Sequence, residues 1–137
     1  MPYDLFRCAD ARAWLAKAGT DLRAAEVDLA AQPPLLEDAL FHCQQAVEKT
    51  LKAFLTWHDQ PFRKTHDLVE LGGQCVALDP TMETILRQAA PLTEYAWSFR
   101  YPGENISPTQ AATQVALALA REVHLAVIEK LPEEARP

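Results

Sequence analysis

The spacing of apolar residues predicts helices along most of this 137-residue chain. Apolar residues recur at intervals of three and four, whereas the alternation of apolar and polar residues that is typical of strands is absent. In the first helix, over about residues 7–31, the expected buried stripe is Leu15, Ala18, Leu22, Ala25 and Leu29. The last helix should start at Ser107-Pro108 and bury Ala112, Val115, Leu119, Val123, Ala126 and Val127.

Prolines and capping residues separate the helices between these two. Pro33-Pro34 ends the first helix and pre-organises the first turn of the second. Asp67 and Glu70 have the spacing of a capping box and predict the start of a short third helix, which should reach about Leu78.

Asp79-Pro80 predicts the start of a fourth helix that extends to about Arg100. Pro91 lies inside this helix and should kink it or split it after Ala89. Because the connections are short, neighbouring helices should be antiparallel. The sequence therefore predicts an all-α fold, an antiparallel up-down four-helix bundle with an additional short helix, in one domain over residues 1–137.

The second helix, over about residues 35–58, has two chemically different faces. At 100° per residue, one face collects the residues expected in the core, which are Leu40, Cys43, Val47, Thr50, Leu51 and Phe54. Nearly opposite is a row of hydrogen-bonding and cationic side chains, here called the polar line: His42, Gln45, Lys49, Lys52 and Thr56. The polar line indicates either a site for a phosphate or base, or a solvated face with a Glu48–Lys52 pair.

Composition and charge narrow the classes of protein. The chain is 49% hydrophobic and 23% charged, which is typical of a globular protein. Its net charge of −6 argues against indiscriminate nucleic-acid binding but leaves room for a local basic patch. The start of the chain does not resemble a signal peptide, and no uncharged apolar run reaches the length of a membrane span. We therefore expect a cytoplasmic protein without membrane contact.

The cysteines do not predict a metal centre. Cys8, Cys43 and Cys75 are odd in number and widely spaced, so neither a disulfide framework nor a zinc site is indicated. His42 and Cys43 are adjacent and point in different directions from their helix, so they do not form a metal-binding pair. We expect no metal and no cofactor.

Three stretches, in this order, carry a resemblance to a known family. They are the run from Phe41 to Ala53 (FHCQQAVEKTLKA), the run from Lys64 to Leu68 (KTHDL), and the segment from Tyr95 to Gly103 with Phe99-Arg100-Tyr101-Pro102-Gly103. Together they resemble the HEPN family, the higher-eukaryote and prokaryote nucleotide-binding domain. The resemblance implies a helical bundle of four or five helices that usually forms a homodimer.

The resemblance also implies two kinds of function. Some relatives are companions of a minimal nucleotidyltransferase in toxin–antitoxin-like modules, and others are metal-independent ribonucleases. The catalytic signature of the ribonucleases is an Arg followed, after about four to six residues, by a His. Here Asn105, Ile106 and Ser107 occupy those positions after Arg100, and none of them is His. The usual general acid–base group is therefore missing, although His66 could approach Arg100 in space.

Three further positions have competing interpretations. His66 beside Asp67 could bind an anion at a helix start, or the pair could be a capping motif. Arg100-Tyr101 could clamp a phosphate and stack on a base, or form a structural corner in which Arg100 binds the last carbonyls of its helix. Phe41 lies off the core face of the second helix and indicates a subunit interface.

The leading hypothesis is a non-catalytic or weakly catalytic homodimer that binds a nucleotide or an RNA phosphate and partners a nucleotidyltransferase. Its binding site would use Gln45, Lys49, Lys52, His66, Arg100 and Tyr101. The alternatives are a metal-independent ribonuclease that uses Arg100 with His66 as the base, and an interaction module without any ligand.

Overall fold

The computed structural model describes residues 5–99, 102 and 107–137, and among these residues the chain is helical with no strand. The α-helices are α1 (Leu5–Ala30), α2 (Leu36–Trp57), α3 (Leu68–Leu78), α4 (Glu83–Ala89) and α5 (Gln110–Lys130). Short 3₁₀ segments lie at Pro80–Met82, Ala90–Ala96 and Glu133–Ala135. The all-α prediction is confirmed.

Helices α1 and α2 form an antiparallel hairpin. The guanidinium of Arg7, early in α1, lies over the ring of Trp57 at the end of α2, 5.1 Å from the ring centre. About two turns further along α1, the ring centre of Trp14 lies 5.5 Å from the ammonium of Lys52, which precedes Trp57 on α2. The start of α1 therefore packs against the end of α2, and the two helices run in opposite directions.

Helix α2 is the centre of the molecule. It packs against α1, α3, α5 and the 3₁₀ segment Ala90–Ala96. All six of its residues expected in the core are buried, which confirms that face of the helix. The opposite side is also covered over much of its length, so α2 also buries Gln44, Glu48 and Lys52.

The start of α3 uses half of the predicted capping box. The side chain of Asp67 accepts hydrogen bonds from the backbone amides of Val69 and Glu70, as expected. The Glu70 carboxylate, however, binds Arg63 at 2.6 Å, and the backbone amide of Asp67 donates to the hydroxyl of Thr65. Asp67 therefore caps the helix as predicted. Glu70 does not complete the capping box but binds Arg63 of the preceding loop.

The predicted fourth helix is split where Pro91 requires it. Asp79 caps the segment and accepts a hydrogen bond from the amide of Thr81, and α4 ends at Ala89. A 3₁₀ segment then continues to Ala96, because a proline cannot donate the hydrogen bond that would extend the α-helix. The long fourth helix of the prediction is thus a series of short turns.

The expected start and stripe of α5 need correction. The helix begins at Gln110, after Thr109, whose hydroxyl accepts a hydrogen bond from the amide of Ala112. Ala112 and Val115 are exposed rather than buried. The residues that α5 buries are Thr113, Ala116, Leu117, Ala120, Val123 and Val127. Because alanine, valine and leucine occur nearly all round this helix, its pattern did not determine which face packs.

Helix α5 is also the one described helix that is long and apolar enough to cross a membrane. It packs against α1, α2 and α4, and core helices of globular proteins are commonly as long and apolar. The described residues therefore contain no clear membrane-spanning segment.

The orientation of α5 predicts that replacing alanine by glutamate lowers the free energy of unfolding at one position of the helix but not at another. Ala120 is fully buried and Ala118 is exposed. Ala120→Glu should lower the free energy of unfolding by more than about 4 kcal/mol or prevent folding, because a carboxylate would be buried without a partner. Ala118→Glu should change it by less than about 0.5 kcal/mol. Urea unfolding followed by circular dichroism measures both, and equal effects would contradict the orientation of α5.

Candidate functional site

A buried carboxylate lies at the centre of the predicted site. Glu48 on α2 is 3% exposed, and its Oε1 lies 2.7 Å from Nδ1 of His66. Its Oε2 accepts a hydrogen bond from the Lys52 ammonium at 3.0 Å, and the Gln44 amide donates to Oε1 at 3.2 Å. We call these four residues the Glu48 network. A buried charge is tolerated only when it is paired and hydrogen-bonded, and this network supplies both conditions.

Lys52 lies opposite the core face of α2, as predicted, but this side of the helix is not open to solvent at Lys52. Its side chain is buried, with the ammonium between Glu48 and the aromatic rings of Trp14 and Phe62. Trp14 belongs to α1 and Phe62 to the loop after α2, so tertiary packing covers a face that the helical pattern left open. The Glu48–Lys52 pair expected for a solvated face does form, but it is buried. Phosphate binding by Lys52 stays a prediction, in which a phosphate would compete with Glu48.

His66 is the member of the network that reaches the surface. Its side chain is 53% exposed, and its Nδ1 must carry the proton that is donated to the Glu48 carboxylate. Its backbone carbonyl accepts a hydrogen bond from Gln44 at 3.0 Å, so the loop before α3 is fixed to α2 at two points. This orientation leaves Nε2 at the exposed edge of the ring, where a neutral imidazole can accept a proton or a hydrogen bond.

Gln45 and Lys49 of the polar line both have polar partners within the protein. The amide nitrogen of Gln45 is 2.7 Å from the side-chain oxygen of Gln44, which places Gln45 against the Glu48 network. Lys49 is half-buried, and its ammonium lies 2.7 Å from Oδ2 of Asp21 on α1. The charge of Lys49 is therefore already balanced by a carboxylate.

Asp21 joins Lys49 to His42. Its Oδ1 lies 2.8 Å from Nδ1 of His42, and its side chain is almost completely buried. Asp21 was not among the residues predicted for the site, and neither was Asp28, which is buried about two turns further along α1. The sequence nevertheless contained evidence for them. The two aspartates are seven residues apart and lie on the buried side of α1, where an acidic side chain needs a partner.

Phe41 is half-buried at the margin of the site. Its ring meets that of His42 edge-on, with ring centres 5.5 Å apart. A shallow cavity beside it is lined by Glu37, Asp38, Phe41, Ser98 and Phe99. The structure contains one chain, so the predicted subunit interface at Phe41 stays a prediction.

Arg100 and Tyr101 lie outside the described residues, so the proposed clamp and the distance from Arg100 to His66 stay predictions. The chain enters that segment through Phe99, which has a positive φ of 70° and stacks on Tyr95 with ring centres 5.9 Å apart. A bulky residue rarely adopts this conformation, which turns the backbone sharply immediately before Arg100.

The fold and site define a helical domain whose central helix carries a buried, charge-balanced polar network ending in a half-exposed histidine. The family model described as the HEPN domain matches residues 11–131. The chain therefore belongs to the HEPN family, which confirms the resemblance seen in the sequence. A search of curated proteins and a search of solved structures each found no match.

The buried position of Lys52 predicts a large loss of stability when its charge is removed. Lys52→Met keeps the aliphatic volume but leaves the Glu48 carboxylate without its cation, and we expect the free energy of unfolding to fall by about 3 kcal/mol. Arg87→Met is a matched control, because Arg87 forms the same i,i+4 pair with Glu83 on an exposed surface and should cost less than about 1 kcal/mol. Urea denaturation at neutral pH measures both.

A second variant checks the cause of this loss. Adding Glu48→Gln to Lys52→Met removes the orphaned charge and should restore part of the lost stability. If the double variant is as unstable as the sum of the two single variants, the two side chains are not coupled and the network is not the cause.

Proposed function

We propose that this HEPN-domain protein binds the phosphate group of a nucleotide or of RNA and acts as the companion of a minimal nucleotidyltransferase in a toxin–antitoxin-like module. The observation that carries the proposal is the His66 imidazole, which is oriented by a buried carboxylate and exposed on the side opposite to it. Family membership supports the partner, and a nucleotidyltransferase gene beside this one would support it further.

The binding edge consists of His66, Gln45 and Lys49, with Arg100 and Tyr101 added from the following segment. His66 can donate from Nε2 when it is protonated, and Gln45 offers an amide that both donates and accepts. Lys49 contributes less than a free lysine would, because Asp21 already binds its ammonium. With a net charge of −6, such a site should bind a small phosphate ligand rather than long nucleic acid.

A metal-independent ribonuclease is the second candidate, and the Glu48–His66 pair is the observation that favours it. A buried carboxylate that holds the Nδ1 proton fixes the imidazole in the tautomer whose Nε2 accepts a proton. Arg100 would then stabilise the charge on the phosphate. The missing Arg-to-His spacing places this candidate second.

Binding and cleavage assays separate the two candidates. We expect the protein to bind fluorescein-labelled short RNA or a labelled nucleotide, with an affinity that falls as salt rises, and to cleave no RNA in the presence of chelator. His66→Gln keeps a donor for Glu48 but cannot titrate, and it should weaken binding at least about fivefold, which corresponds to about 1 kcal/mol. Fluorescence anisotropy measures binding, and gel electrophoresis measures cleavage.

Lys49→Ala is a second test of the site, and Lys130→Ala is its matched control, because each lysine lies 2.7 Å from a carboxylate oxygen. Lys49→Ala should weaken binding and Lys130→Ala should not. If neither His66→Gln nor Lys49→Ala changes binding, the polar line has no ligand and the protein is an interaction module. If the parent cleaves RNA and His66→Gln abolishes cleavage while the variant stays folded, the ribonuclease candidate replaces the leading one.

We further propose a symmetric homodimer with Phe41 near its two-fold axis. A half-exposed phenylalanine beside a central helix is well placed for such a contact, and two-fold dimers are the commonest closed assemblies. Phe41→Glu should shift the protein from dimer to monomer at micromolar concentration, as measured by sedimentation equilibrium. Phe6→Glu is the control, because Phe6 is exposed on α1 far from Phe41 in the sequence. A parent that is monomeric, or a dimer that Phe41→Glu leaves intact, contradicts the interface.

The proposal also places the protein in the cytoplasm as one domain over residues 1–137. The family match covers most of that range. Cys8, Cys43 and Cys75 are buried and unbridged, and burial raises the pKa of Cys43 and Cys75 to about 12. Thiols of this kind are compatible with a reducing compartment.

A further inference from the structure

A second cluster of ionisable side chains lies where α1 turns into α2. One ligand atom from each of Asp28, Asp38 and His42 lies within 4.8 Å of the others. Asp28 is in the last turn of α1, and Asp38 and His42 are one turn apart near the start of α2. The site is therefore built on two packed helices, and the short connection between them keeps these helix ends together.

The orientation of His42 is that of a metal ligand. Its Nδ1 donates to Oδ1 of Asp21 at 2.8 Å, and Asp21 is itself bound by Lys49. The other ring nitrogen, Nε2, lies 3.4 Å from Oδ2 of Asp38. A carboxylate that holds one imidazole nitrogen fixes the tautomer in which the other nitrogen offers its lone pair, and metal-binding histidines are commonly oriented in this way.

Asp28 supplies a second, independent observation. It is 8% exposed, and its Oδ2 is buried without any hydrogen-bond partner in the described part of the chain. A buried carboxylate oxygen normally has a donor or a cation. A cation beside this oxygen would supply the missing partner.

We propose that Asp28, Asp38 and His42 bind one divalent transition-metal ion, with zinc as the best fit. Two carboxylates and one imidazole are a ligand set that suits zinc, and a fourth position remains for water. Ligand atoms on a tetrahedral zinc ion are about 3.4 Å apart, given bonds of about 2.1 Å, and the His42–Asp38 separation already has this value. Small side-chain movements bring Asp28 to the same distance.

This site adjoins the proposed phosphate-binding edge, because Asp21 contacts both His42 and Lys49. His42 is less than two helical turns from Glu48 on α2, but the metal ligands do not include any member of the Glu48 network. The ion would balance the acidic end of the α1–α2 hairpin and fix the two helices to each other. The inference does not depend on nucleotide binding and is tested without a nucleotide.

Calorimetric titration of chelator-treated full-length protein with zinc chloride tests the proposal. We expect one ion per chain and a rise in the melting temperature with zinc, because a ligand that binds only the folded state stabilises it. Asp28→Asn and Asp38→Asn should each weaken zinc binding at least about tenfold. Asp38 is 56% exposed, so its variant removes a ligand without disturbing the core if Asp28→Asn proves poorly folded. Asp10→Asn, an exposed change on the same α1 helix, should leave binding unchanged.

Cobalt substitution identifies the ligand atoms. The protein with cobalt(II) should show visible ligand-field bands without sulfur-to-metal charge transfer, and His42→Gln should remove these bands. Sulfur charge transfer would place the ion on a cysteine and overturn the proposal. Absence of zinc binding by the parent would also overturn it, and so would zinc binding of equal strength in Asp28→Asn, Asp38→Asn and the Asp10→Asn control.

Discussion

A charged carboxylate that is buried in a helical core needs a cation or hydrogen-bond donors beside it, and Glu48 at the centre of this molecule is such a carboxylate. It meets the requirement with Lys52 from its own helix and His66 from the loop before α3. Lys52 is in turn covered by Trp14 of α1 and Phe62. The packing of α1, α2 and the α3 entry therefore converges on one charge, and the half-exposed imidazole is fixed as a consequence.

The α1–α2 hairpin contains a second balanced pair of charges, built on the same physical rule. Asp21 is buried on α1 and binds His42 and Lys49, which lie about two turns apart on α2. Acidic residues on the packed side of α1 thus meet basic residues on α2. Most cations of the polar line serve this internal balance, which reduces the charge available to an outside phosphate and makes His66 the more accessible group.

The two proposed sites differ in the chemistry that their surroundings favour. Around Glu48 the carboxylate has a surplus of donors, so the outward group is an imidazole that can meet an anion. Around Asp28 there are more carboxylates than cations, so a positive ion fits better.

The sequence by itself determined the helical class, the caps at Asp67 and Asp79, and the break at Pro91, because each depends on local backbone chemistry. It also determined the family, because three ordered motifs carry the resemblance. It also predicted the buried face of α2, where strongly apolar residues recur with helical period. Only the tertiary structure decided which face of α5 packs, because small apolar residues surround that helix and neighbouring helices select among them. The burial of Lys52 and the meeting of Asp28 with His42 likewise depend on what a second helix brings alongside, and helical periodicity within one element carries no information about that partner.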